Sequence, residues 1–232
     1  PVDRERLRAH CASAVLAWPR AESARWSRAA PTIAPRMIAL SVPLPREVLL
    51  IHTDGRDAAN APYTRANAIA IPRAGPDVEP GDARRDAFVL AHELFHVASR
   101  SRPALATALY ALIGFEPVAP LRWPPAWAPA RIANPDAPHD RHAMRTTVGE
   151  RSAMLMPLLV ARRTDLRADE SFFDVLDVRL LEVEPGEGAT LPVMREGEPV
   201  WHAPEAVPAY LERLGGNTGY IFHPEETMAD NV

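Results

Sequence analysis

A chain of 232 residues with 47% hydrophobic and 24% charged side chains can bury a substantial core and has the balance of an ordinary globular protein. Its net charge of −4, without any basic run, argues against nucleic acid as a partner. Cys11 is the only cysteine, which excludes an internal disulfide and a thiolate metal site, and no apolar run approaches transmembrane length: Ala153 to Ala161 is interrupted by Pro157.

Arg4 to Trp18 has helical spacing, with Leu7, Cys11, Val15 and Trp18 on one side, and is followed by a Pro-rich connector. Glu47 to His52 reads as a short strand closed by Asp54-Gly55. Asn67 to Ile71 alternates and stops at Pro72, which predicts a second strand at a sheet edge. Ala83 to Arg100 contains neither Pro nor Gly and lies between Pro80-Gly81 and Pro103, with Asp82 as N-cap, so a helix is expected. Ala104 to Phe115 predicts a second apolar helix, and the segment from Glu116 to Pro138, crowded with Pro and Trp, an irregular covering loop.

Thr146 to Arg162 and Phe172 to Glu184 have the aliphatic and β-branched character of strands, and Gly186, Gly188 and Gly197 punctuate a further β region. Pro204 to Leu214 reads as a helix ended by Gly215-Gly216, and a last helix starts at Pro224, where proline suits the first helical position. The expected architecture is a single α+β domain over residues 1–232, with a β-rich insertion over about 146–203. The chain begins at Pro1 rather than Met and ends inside a helical stretch, which leaves room for a trimmed and exported form.

The chemistry is concentrated in His92-Glu93-Leu94-Phe95-His96, an H-E-x-x-H sequence inside the Ala83–Arg100 helix. Residues four apart share a helix face, so both imidazoles can converge on one metal ion, and Glu93 is placed to act on a zinc-bound water. Phe88, Ala91, Phe95 and Ala98 form one apolar stripe, and Leu90, Leu94 and Val97 another, so the helix should be buried. Buried imidazoles and a carboxylate are costly unless satisfied, and one zinc ion per chain would satisfy them.

A catalytic zinc takes a third protein ligand. The metzincin continuation would place Gly and His where this chain has Ser99 and Arg102. Glu226 and Asp230 share a helix face as E-x-x-x-D behind Pro224, and Glu170 and Asp174 have the same spacing in a strand-like run. His139 and His142 sit in a polar context that reads as a solvated loop and are the reserve ligands, whereas His10, His52 and His202 show no clustering.

With H-E-x-x-H followed by E-x-x-x-D, the chain resembles the gluzincin class of zinc metallopeptidases. That resemblance implies a zincin-like fold, with a small mixed sheet packed on the active-site helix and the β-rich insertion before the third-ligand helix. It implies Glu226 as third ligand, Asp230 as acceptor for the Nδ1 proton of His92, and Asn67–Ile71 as the strand that pairs with an extended peptide. Tyr220 or His223 would hydrogen-bond the developing oxyanion. The expected activity is peptide-bond hydrolysis, with Glu93 as the proton carrier. Two alternatives stay open: a silent zinc-loaded scaffold that binds proteins, and a zinc hydrolase of non-peptide substrates.

Overall fold

The computed structural model describes residues 3–74, 82–163, 165, 167 and 170–232. Pro1, Pro80 and Gly81, used above to mark the chain start and a helix boundary, lie outside the described residues. The chain is mixed α+β and divides into two compact units, Pro1–Arg102 with Val232, and Pro103–Asn231. Among the described residues there are six α-helices, none long and apolar enough to cross a membrane.

In the N-terminal unit, helix α1 (Arg4–Ala14) begins at Asp3, whose carboxylate caps Glu5 N at 2.9 Å. It stops four residues before the expected end. Val15 leaves helical geometry to bridge Thr53, and Leu16 N donates to His52 O at 2.8 Å.

The expected Pro-rich connector is largely helix α2 (Arg20–Ala39), with Pro31 and Pro35 inside it. Proline removes a helical N–H and crowds the preceding turn, which argued against this helix. Tertiary packing prevails. Trp26, Ala29, Ile33 and Met37 form a stripe that joins Ile69, Ile71, Leu90, Leu94 and Val97 in one core.

Strands β1 (Leu49–Thr53), β2 (Tyr63–Arg65) and β3 (Ala68–Pro72) form a sheet in the order β1-β3-β2. β3 pairs parallel to β1 and antiparallel to β2, so it is central rather than an edge. The pattern of Ile69, Ala70 and Ile71, all buried, explains the placement: a strand covered on both faces reads as a continuous apolar run. Pro72 is harmless as the last residue. Because both ladders of β3 are taken, the peptide-pairing role expected for Asn67–Ile71 is closed to it.

The sheet and α2 pack on helix α3 (Ala83–Ser101), whose N-cap Asp82 accepts from Arg84 N and Arg85 N at 3.0 and 3.2 Å. Arg25 of α2 grips Asp86 of α3 with two hydrogen bonds of 2.6 and 2.5 Å. At the other end, Arg100 Nη1 donates to Thr64 Oγ1 of β2 at 2.7 Å.

The C-terminal unit starts with helix α4 (Pro103–Leu112), which ends before Phe115 because that residue opens β4 (Phe115–Pro117). β5 (His142–Val148), β6 (Arg151–Ala161), β7 (Leu176–Pro185) and β8 (Thr190–Pro192) follow. A short hairpin, β9 (Met194–Arg195) with β10 (Glu198–Pro199), precedes β11 (Trp201–His202). The six-stranded antiparallel sheet runs β11-β7-β6-β5-β4, with β8 also on β7. The stretch expected as one strand over Thr146–Arg162 is a hairpin turned at Gly149, whose φ of 61° suits glycine. Helix α5 (Pro208–Leu214) ends on the left-handed Gly215, and helix α6 (Pro224–Ala229) closes the unit.

On this sheet Glu182, 7% exposed at its side chain, is held by Arg151 at 2.6 and 2.5 Å and lies 3.2 Å from His202 Nε2. The Arg151 hydrogen bonds outweigh burial and hold the carboxyl below its ordinary 4.5. A depressed folded pKa contributes stability above the unfolded value, and that contribution is lost as pH falls through the folded one. Arg151→Ala is therefore expected to lower stability near neutrality more than at acid pH below the depressed folded value of Glu182, so a melting-temperature series against pH should flatten on its acid side. A parallel downward shift at every pH would count against this assignment.

Candidate metal centre

The helical repeat of α3 sets His92 and His96 one above the other. Their ring centroids are 4.8 Å apart and nearly perpendicular, at 81°. His96 is fully buried, Glu93 is 4% exposed and His92 9%. Burial is continuous from Leu90 to Ser99, as an all-round apolar helix requires, but Phe88 at 48% exposure escapes it. Phe88 and Phe95 flank the pair, with centroids 6.3 Å from His92 and 6.2 Å from His96. Ser99 Oγ donates to His96 O at 3.1 Å.

In the C-terminal unit, α6 opens as predicted at Pro224. Its N-cap is His223, whose Nδ1 accepts the Glu225 N–H at 3.0 Å. An Nδ1 that accepts carries no proton, so the neutral ring holds its hydrogen on Nε2 and presents a donor there. Glu225 and Glu226 are each 4% exposed, in the first turn, where the helix dipole favours negative charge. Tyr110 of α4 donates to Glu225, and Asn134 Nδ2 donates to Glu226 Oε1 at 2.6 Å. Asp230 forms the C-cap of α6, four residues after Glu226, and its N–H donates to Glu226 O at 3.0 Å.

Tyr220 is 43% exposed, with its ring 5.6 Å from that of Phe222; its carbonyl accepts from Thr227 Oγ1 at 2.6 Å. The competing pair is engaged elsewhere. Glu170 ion-pairs with Arg163 and accepts from Arg167 N at 2.9 Å, while Asp174 accepts from Ser171 N at 2.8 Å in the capping box of a 3₁₀ turn over Phe172–Val175. The strand expected to begin at Phe172 therefore begins at Leu176.

His139 is exposed, as a solvated loop predicts. His142 is not part of that loop. It opens β5, with its ring 4.9 Å from Tyr110 and 5.8 Å from His223, and burial, reinforced by Arg141, pushes its pKa down to about 4. The ring is neutral at pH 7. Its polar sequence neighbours misled because alternate residues of a strand face opposite sides. Among the unclustered histidines, His52 is buried and stacked on Trp18 at 4.8 Å, His202 faces Glu182, and His10 Nε2 lies 3.3 Å from Arg56 O.

Tyr110 and Asn134 were not legible as site residues. A phenol in the apolar run from Ala104 to Phe115 needs a partner for its hydroxyl when buried, which was the available signal for Tyr110. Asn134, in a Pro-crowded loop, offered none. Buried histidine and carboxylate groups of the chain could hold a metal ion. Imidazole nitrogen and carboxylate oxygen are the donor types that a catalytic zinc accepts, so these residues fit that group. Comparison with protein-family models, with curated proteins and with solved structures yields no match.

Proposed function

We propose that the chain is a zinc-dependent hydrolase, a metallopeptidase of gluzincin type on a zincin-like fold, with His92, His96 and Glu226 as the metal ligands. The observation that carries this reading is the buried imidazole pair on α3, 4.8 Å apart, with a buried glutamate next to the first histidine. Imidazole nitrogen and carboxylate oxygen are donor types that a catalytic zinc accepts, and this buried stretch of α3 supplies both.

When bound, zinc polarises the scissile carbonyl and lowers the pKa of a water enough for attack near neutrality. Glu93 takes the proton of the attacking water and delivers it to the leaving nitrogen, which avoids expelling an amide anion. His223 supports the developing oxyanion through its Nε2–H, the tautomer set by the Glu225 N–H on Nδ1. Tyr220 is the second donor in this reading, held on the loop that Thr227 ties to α6. In this reading Asp230 would accept the Nδ1 proton of His92 and so fix its tautomer.

Elemental analysis of the parent, His92→Ala and Glu226→Ala proteins, purified without added metal, tests the assignment. The expected result is about one zinc per chain in the parent and loss of it in both variants, as three-ligand sites require. A Glu226→Ala protein that keeps its zinc tightly would move the third ligand elsewhere, and a parent that refuses supplied zinc would sink the reading.

A further inference from the structure

Glu226 stands on the first turn of a six-residue helix, and its side chain can rotate about three torsions before a metal arrives. The C-terminal unit restrains it. Asn134 Nδ2 donates to Glu226 Oε1 at 2.6 Å, and Asn134 Oδ1 accepts the Asp136 N–H at 2.9 Å. The second bond settles which end of the amide is which: the atom that accepts a backbone N–H is the oxygen, so the atom facing Glu226 is the donor. Asn134 thus spans a loop and a helix, with each half of its amide used.

We infer that Asn134 is a positioning residue for the metal site, acting through Glu226 to fix the orientation of its carboxylate. The inference rests on the assignment of Glu226 as a zinc ligand. A neutral donor suits this place, since it immobilises one oxygen without neutralising the carboxylate charge that the metal needs. Arginine or lysine there would form an ion pair and compete with zinc for the same charge. Outer partners of ligating groups of this kind typically change metal affinity by about 10–100-fold when removed.

Two substitutions separate positioning from bracing of the loop. Asn134→Ala removes both halves of the amide. Asn134→Asp keeps the oxygen that accepts from Asp136 N, keeps the shape, and replaces the donor facing Glu226 by an acceptor. Zinc affinity of the full chain is read by competition with a chromophoric chelator, using zinc alone and no substrate, beside Glu226→Ala. Both Asn134 variants are expected to bind zinc about 10–100-fold more weakly than the parent. If Asn134→Asp binds as tightly as the parent, Asn134 only braces its loop and the inference is overturned. If Glu226→Ala itself keeps parental affinity, the ligand assignment fails and takes this inference with it. Weak binding by Glu226→Ala beside undiminished binding by both Asn134 variants would leave the ligand and remove the positioning role.

Discussion

Glu93→Gln is expected to retain zinc and lose roughly 10²–10⁴-fold of the hydrolytic rate, the range that a positioned general base contributes. The substitution is nearly isosteric, so the packing of a side chain only 4% exposed should survive, and Glu93 lies outside the proposed ligand set. What disappears is the capacity to accept a proton from the attacking water and return it to the leaving nitrogen. Hydrolysis of a peptide library, with metal content measured on the same samples, checks it. A zinc-loaded Glu93→Gln protein as fast as the parent would refute the mechanism. A zinc-loaded parent inert on every peptide and ester offered would instead favour a scaffold that binds without turnover.

The second large effect is expected away from the chemistry. Asp86 has a side chain only 3% exposed and ion-pairs with Arg25, 12% exposed, which grips it with two short bonds. Arg25→Ala leaves a carboxylate buried at the α2–α3 contact without that partner, a change that costs about 3–5 kcal/mol when a buried pair is broken from one side. The Arg25→Ala/Asp86→Ala double variant should lose less than Arg25→Ala alone, because no stranded charge remains. Urea unfolding gives the magnitudes, and amide exchange across Ala83–Ser101 gives the local readout. Faster exchange there is expected, since α2 is one wall of the core that holds the helix bearing His92 and His96. Equal losses in the single and double variants would show that the pair contributes nothing specific.

The ease of reading this chain differed sharply between its parts. Helix α3 was evident because three local signals coincide: an N-cap at Asp82, an unbroken stretch without Pro or Gly, and apolar residues around the circumference. The start of α6 and the Gly215 cap of α5 were evident for the same kind of reason. Helix α2 was hidden by Pro31 and Pro35, whose local penalty is real and is offset by a stripe of apolar contacts distant in sequence. The edge assignment of Asn67–Ile71 failed because a terminal proline is compatible with either an edge or a central strand, and only the neighbouring strands decide.

For the candidate site, the sequence by itself determined that His92 and His96 lie one helical turn apart. H-E-x-x-H on an apolar helix is a local pattern, and helix geometry converts it directly into two facing imidazoles. Which carboxylate pair is otherwise occupied is not a local property. Glu170 and Asp174 have the spacing of Glu226 and Asp230, yet the former are engaged by Arg163 and by a 3₁₀ capping box. Likewise the partial burial of His142 and the grip of Asn134 on Glu226 come from the register of a strand and from a partner 92 residues away. Helical periodicity acts within one turn and survives any tertiary context that keeps the helix. Hydrogen-bond partnership and burial depend on which surfaces meet, and only the tertiary structure decides that.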